Sequence, residues 1–145
     1  MDNFLIRKIK KEDAASIEKI YSSIIQKPEE IDFRRIIEEQ ADSQGVVSFA
    51  AEIDDIVVGY MISYTISSGF GMDKSAWIAM LGVDPKHMGK GIGKKLAEAM
   101  FNYCREKKIK NIFTSVRWDS TDMLSFFKTL DFDRSDFINL RKVLD

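Results

Sequence analysis

Hydrophobic residues recur along this chain with two periods, and their succession predicts the order of its strands and helices. The first half reads as a strand at 3 to 10, a helix opened by Glu12-Asp13, a helix at 33 to 40, and a hairpin of strands at 46 to 53 and 56 to 66. The second half reads as a strand ending at Val83, a helix from Ile92 to about Lys107, a strand at 111 to 116, a short helix capped by Asp119-Ser120, and closing strands at Phe132 and 137 to 143. Residues 67 to 74 are predicted to be a loop. This order predicts a mixed α/β sheet in a single domain over residues 1 to 145.

The segment that follows Val83 carries the clearest chemical signal. It contains three alternating glycines and four lysines, with no carboxylate between the lysines: Gly89, Gly91, Gly93, Lys86, Lys90, Lys94 and Lys95. Glycine lets the backbone approach an anion closely, and the unpaired N–H groups of a first helical turn attract negative charge. The segment therefore predicts a phosphate-binding turn, with an ordinary tight turn as the plain alternative.

Composition narrows the class of protein. A net charge of -1 argues against general nucleic-acid binding, and the single cysteine, Cys104, excludes an internal disulfide. One histidine and one cysteine are too few for a Cys/His zinc site, so no metal is expected. The sequence shows no signal peptide and no apolar run long enough to cross a bilayer. We expect a cytoplasmic enzyme or binding protein with no membrane or nucleic-acid partner.

Three segments in this order resemble the GNAT superfamily of acyl-CoA-dependent N-acyltransferases. They are Val83-Asp84-Pro85 with Gly89-Lys90-Gly91-Ile92-Gly93, the opening IRKIKKEDAASIEKIY, and Phe126-Phe127-Lys128-Thr129-Leu130-Asp131-Phe132. The resemblance implies a GNAT-like fold. This fold has a mostly antiparallel central sheet with a splayed parallel pair in its middle, flanked by about four helices. It also implies that the chain is an N-acetyltransferase, an acyltransferase for acyl groups other than aminoacyl, and that it uses acetyl-CoA as cosubstrate. A homodimer is compatible with the resemblance.

By the same resemblance, twelve positions are expected to bind the cofactor: Leu81, Gly82, Val83, Met88, Gly89, Lys90, Gly91, Ile92, Gly93, Lys94, Ser120 and Phe127. Three of them depart from the family pattern. Met88 stands where an Arg or Gln is usual, Ser120 where an Asn is common, and Phe127 where many members carry a tyrosine that protonates the departing thiolate. The departures put the proton-donor role in doubt more than the fold.

Transfer of an acyl group to an amine also requires a base, and no motif in the sequence marks this residue. Glu52 and Asp119, near strand ends that border the expected cleft, are the candidate catalytic bases. Tyr60, Tyr64 or water is the candidate proton donor. Five aromatic residues are candidates for the acceptor pocket, with core packing as the alternative for at least half: Tyr60, Tyr64, Phe70, Trp77 and Trp118. An acyl-CoA-binding regulatory domain without catalysis, and a partner-binding domain without cofactor, are the competing functions.

Overall fold

In the computed structural model, the described residues are 3 to 25, 30 to 41 and 47 to 145. The chain forms two compact units, Met1–Thr114 and Ser115–Asp145, and each is described by itself. In the described ranges, the first unit contains five strands and three α-helices, and the second contains one α-helix. Among the described residues, no helix combines the length and apolar character needed to span a bilayer.

The first unit is built on a sheet whose strands lie in chain order. The strands are β1 (Phe4–Lys8), β2 (Phe49–Ile53), β3 (Ile56–Gly69), β4 (Met72–Val83) and β5 (Asn111–Thr114). Neighbours from β1 to β4 are antiparallel, whereas β4 and β5 are parallel. The predicted mixed sheet is therefore confirmed. The parallel pair stands at the end of the strand order, because no strand follows β5 in the described chain.

The helices of the first unit are α1 (Ala14–Ile24), α2 (Phe33–Ala41) and α3 (Ile92–Glu106). Ile17 and Ile20 of α1 and Phe33 and Ile37 of α2 are buried in one cluster with Tyr60 of β3. On α3, the buried positions recur at helical spacing: Ile92, Leu96, Ala97, Met100, Tyr103 and Cys104. The helices lie where the 3.6-residue period predicts them, within one or two residues at each end.

The prediction of a loop over residues 67 to 74 is wrong, because this segment is the tip of a long hairpin. β3 continues to Gly69 and β4 begins at Met72, so the connection is only Phe70 and Gly71. Both have positive φ, 54° and 75°, as a two-residue type I′ hairpin turn requires. The Ser- and Gly-rich composition suggested a loop, but the regular pairing of Ser67 with Lys74 extends the ladder.

The predicted closing strands are also absent. In the second unit, α4 spans Thr121–Thr129, and residues 133 to 145 form neither helix nor strand. Ile138 and Leu140 alternate as strand residues would, yet their side chains are exposed. Alternation alone does not make a strand, because a strand also needs a hydrogen-bonded neighbour.

Candidate active site

The glycine turn, residues 88 to 94, presents backbone N–H groups that have no acceptor. Within the described chain, the first N–H of α3 to find a backbone partner is that of Lys95, which donates to the Gly91 carbonyl at 3.1 Å. At the first residue of the turn, the N–H of Met88 donates to the Pro85 carbonyl at 3.4 Å. The N–H groups of residues 89 to 94 therefore remain free to bind an anion, and the dipole of α3 adds to the attraction.

The shape of the glycine turn depends on two of its glycines. Gly89 and Gly91 have φ values of 81° and 78°, in the left-handed region that glycine adopts without strain. A Cβ atom built on either residue meets no heavy atom within 4 Å, so the surface around the turn is open. Lys90 and Lys94 are exposed beside it, and the Lys90 ammonium lies 3.3 Å from His87 Nδ1. The turn thus fits a phosphate-containing ligand by its donors, its charge and its free space.

The open edge of β4, residues 79 to 83, lies next to the glycine turn in the chain. β4 pairs with β3 along its length, but with β5 only over Ser75 to Ile78. From Ala79 onward, the side of β4 that faced β5 has no strand partner among the described residues. An extended ligand with amide groups can bind such an edge as an added strand. Leu81, Gly82 and Val83 all lie in this stretch.

A β-bulge marks the point at which β4 leaves β5. Ile62 pairs with Met80 while Ser63 pairs with Ile78, so Ala79 is the extra residue of β4. A bulge bends its strand and increases the local twist. The bulge thus accounts for the short ladder with β5, and periodicity had given no signal for it.

Tyr60 and Gly82 fit together on the α1/α2 side of the open edge. They are register partners, and a Cβ on Gly82 would lie 2.6 Å from Tyr60 Cε1 and 2.9 Å from its hydroxyl oxygen. The phenol therefore lies directly against the Gly82 backbone. Burial, with a contribution from Tyr21, raises the pKa of Tyr60 to about 12. The hydroxyl stays neutral at pH 7 and can donate a hydrogen bond.

Glu52, the first candidate base, is held in an ion-pair cluster. Arg7 Nε donates to the Glu52 carboxylate at 3.0 Å, and the same guanidinium donates to both oxygens of Asp13 at 2.8 Å. Glu52 lies on β2, two strands away from β4, or about 10 Å at the usual strand spacing. A base at that distance would need a chain of water molecules. Sequence reasoning had not found the Arg7–Asp13 contact, because it joins positions without periodic relation.

The remaining candidates lie in the second unit. Asp119 is exposed and accepts two hydrogen bonds from Arg117, each at 3.0 Å, which hold the pKa of its carboxyl below the usual value. Ser120 is the N-cap of α4, but its side chain makes no capping hydrogen bond. The Phe127 ring is only 4% exposed and packs edge-on against Phe126 and Phe132. The ring contacts that Phe127 makes in this unit are with these two aromatic residues.

A glycine turn at a helix start beside an open strand edge is an arrangement that suits enzymes with a phosphate-containing cosubstrate. Comparison with known proteins identifies that class. The chain matches the Acetyltransferase (GNAT) family over residues 14–132, so it belongs to this family of acyltransferase enzymes. In the described ranges, no group of three or more His, Cys, Asp or Glu side chains is arranged to hold a metal ion.

Individual relatives are distant. A mycothiol acetyltransferase of Renibacterium salmoninarum is 27% identical over 105 residues, which are 72% of this chain but only 31% of that protein. The chain thus spans about a third of the length of this curated relative. An aminoglycoside acetyltransferase from an uncultured soil metagenomic sample, solved with sisomicin, superposes with a TM-score of 0.83 at 19% identity, covering 99% and 97% of the two chains. The aminoglycoside N-acetyltransferase AAC(6′)-Iy, solved with CoA, gives 0.82 at 14% identity, covering 99% and 96%. The two structural similarities extend over 99% of the chain.

Proposed function

We propose that the chain transfers an acetyl group from acetyl-CoA to a primary amine of a small molecule or peptide. The observation that carries the proposal is the run of free N–H groups at residues 89 to 94, which suits the pyrophosphate of CoA. The open edge of β4 suits the amide-containing pantetheine arm. Together these two features would hold the thioester beside Gly82.

In the proposed reaction, the amine attacks the thioester carbonyl carbon directly. A C–N bond forms and the carbonyl oxygen becomes an oxyanion, which a backbone N–H of Leu81 to Val83 would stabilise. The C–S bond then breaks, CoA leaves as a thiolate, and the attacking nitrogen loses a proton. The neutral Tyr60 hydroxyl lies against Gly82, where it could donate a hydrogen bond to the oxyanion or to the departing sulfur.

We propose Glu52 and Asp119 as the residues that accept the proton of the attacking amine. Glu52 is ion-paired with Arg7 at 3.0 Å and Asp119 with Arg117 at 3.0 Å; the hydrogen bonds from Arg117 lower the pKa of Asp119, which makes Asp119 a weaker base. Glu52→Gln and Asp119→Asn remove the proton-accepting group with little change in size. If either residue acts, kcat/KM should fall and the acidic limb of its pH profile should disappear. Unchanged profiles in both variants would assign deprotonation to solvent.

A regulatory domain that binds acyl-CoA without turnover is the second candidate. It is favoured by Met88, which offers no polar donor at the turn, and by the buried Phe127. The two functions differ in one measurement, the release of CoA from acetyl-CoA with a panel of amines. Amine-dependent release supports the transferase, whereas tight binding without release supports the regulatory domain.

The cosubstrate site can be tested with Gly91→Glu and a matched control. The substitution places a carboxylate among the free N–H groups, and at φ 78° it also adds about 1–2 kcal/mol of left-handed strain. Gly71→Glu adds the same side chain at φ 75° in equally open space, but at the hairpin tip. In calorimetric titration, CoA should bind the wild type and Gly71→Glu alike and fail to bind Gly91→Glu. Equal affinity in all three proteins would refute this site.

A further inference from the structure

An aromatic row crosses the sheet just before the open edge of β4. Tyr64, Trp77 and Phe113 are register partners on β3, β4 and β5. The Trp77 and Phe113 rings stack with centroids 4.6 Å apart at 23°, and Phe70 lies 5.4 Å from Trp77. We call these four residues the aromatic row. It brings together rings from three strands and from the hairpin tip.

The aromatic row continues the face of the sheet that α1 and α2 cover. Side chains alternate along a strand, so Tyr64 shares a face with Tyr60 and Ile62. Those two are buried with α1 and α2, whereas Tyr64 is 43% exposed and Phe70 is 60% exposed. The Trp77 indole N–H donates to Ser75 Oγ at 2.9 Å, which satisfies the polar atom and fixes the ring. Tyr64 and Phe70 are thus the exposed rings of the row, whereas Trp77 is a partly buried ring held by its hydrogen bond, and exposed aromatic rings can stack on a ring of a ligand.

The position of the row relates it to the chemistry proposed above. Trp77 precedes Leu81 by four residues on one strand, a distance of about 13 Å along the backbone. Trp77 also lies within the last residues of β4 that pair with β5. An acceptor whose amine meets the thioester beside Gly82 could lay its organic part toward Trp77. Trp77 of the row and the proposed place of the thioester therefore lie on the same strand, about 13 Å apart.

Charge along these strands limits the acceptor's chemistry. Between Tyr60 and Val83 the sequence holds a single carboxylate, Asp73. Asp73 precedes Leu81 by eight residues, about 26 Å along the strand, so it cannot contact the attacking amine. On α2, Glu38 and Glu39 pair with Arg34 and Arg35 at 3.4 and 3.9 Å. A polycationic acceptor needs several carboxylates near its amines, and between Tyr60 and Val83 the two strands supply rings and a single carboxylate.

We infer that the aromatic row is the acceptor platform, and that the acceptor is a primary amine attached to an aromatic or extended apolar group. This inference rests on the proposed acetyl transfer and names its substrate class. Stacking on Tyr64 and Trp77 would orient the acceptor, and its nitrogen would point along β4 toward Gly82. The sisomicin-bound neighbour shares the fold, but this face differs from what a polycation requires.

The test compares phenylalkylamines with alkylamines of equal chain length, from two to eight methylenes, using acetyl-CoA and following thiol release. At the chain length that reaches Trp77, the kcat/KM of the phenylalkylamine should be about tenfold higher than that of the matched alkylamine. A ratio of about this size is expected from one ring contact. Tyr64→Thr and Trp77→Leu should reduce this ratio to about one, while the KM for acetyl-CoA stays unchanged. Ile56→Thr is the control, since Ile56 is an exposed residue of β3 outside the row.

Calorimetric binding of the same amines to the CoA-bound protein gives a second measurement that does not depend on turnover. Preferential binding of the aromatic amines, lost in Tyr64→Thr, supports the platform even where turnover is slow. Equal use of both amine series, or preference for spermidine and sisomicin, overturns the platform and leaves acetyl transfer standing. Failure to bind acetyl-CoA at all would instead overturn the proposed function.

Discussion

Replacing Gly82 with alanine tests the contact on which the reacting end of β4 depends. Gly82 does not have a positive φ, so its backbone conformation suits any residue. Without a steric conflict, Gly82→Ala would stabilise the protein by about 0.4–1 kcal/mol, because alanine restricts the unfolded chain. The added Cβ, however, would lie 2.6 Å from Tyr60 Cε1 and 2.8 Å from Cζ. Real Cβ atoms do not approach so closely, so the ring or the strand must move.

The Tyr60 ring has little room to move, because it is buried with an edge-on contact to Phe33 at 6.3 Å. Overpacking of this kind costs about 1–3 kcal/mol, which exceeds the gain from the unfolded state. We expect a net loss of about 1–2 kcal/mol in the free energy of unfolding. Urea unfolding at pH 7 measures this loss.

A double-mutant cycle with Tyr60→Leu isolates the steric contact. Leucine lacks the ring atoms that meet the new Cβ, so in the Tyr60→Leu background Gly82→Ala should be neutral or stabilising. The coupling energy between the two sites should therefore be about 1–3 kcal/mol. A Gly82→Ala protein as stable as the wild type, or a loss that persists in the Tyr60→Leu background, would refute the reasoning.

Three further predictions concern buried groups. Burial alone would raise the pKa of Asp13, but hydrogen bonds from Arg7 and from the Lys10 N–H lower this pKa overall. The ionised carboxylate therefore stabilises the folded protein fully above the unfolded pKa, near 3.8. This stabilisation is lost as the pH falls through the lower pKa of the folded state. Asp13→Asn should then cost about 2–3 kcal/mol at pH 7 in urea unfolding, and less below pH 4; a pH-independent difference would contradict the ion pair. Burial raises the pKa of the Cys104 thiol to about 11. Iodoacetamide at pH 8 should therefore label Cys104 only after the protein unfolds. Rapid labelling of the folded protein would contradict this burial. Phe127→Tyr should lower stability by about 1–3 kcal/mol, because the ring is buried and the added hydroxyl would lose its hydrogen bonds to water. A normal melting temperature with faster turnover would instead show that the ring edge reaches the thiolate.

The sequence predicted the parts of the fold that depend on local periodicity. The apolar face of α3 and the strand that ends at Val83 follow from residue spacing, and the three glycines marked the turn between them. It failed at the hairpin tip, where Ser67 to Lys74 pair although their composition is typical of loops. It failed again at 137 to 143, because periodicity describes a strand's faces and not its neighbour.

The same distinction between local and distant features applies to the candidate site. The backbone donors of residues 89 to 94 follow from glycines and a helix start, which are visible in the sequence. The Arg7 cluster around Glu52, the Gly82–Tyr60 contact and the aromatic row each join residues far apart in the chain. Their meeting depends on strand register and on the bulge at Ala79, and neither is encoded in local spacing.

The short ladder between β4 and β5 also has a consequence for amide hydrogen exchange. Alternate N–H groups between Ala79 and Val83 point away from β3, toward the side that β5 has left. In the ligand-free protein these amides should exchange with solvent much faster than their neighbours that bond to β3. An extended ligand bound along this edge would slow alternate amides only. Exchange measured residue by residue would therefore show whether the ligand pairs with the open edge of β4 in the position of an added strand.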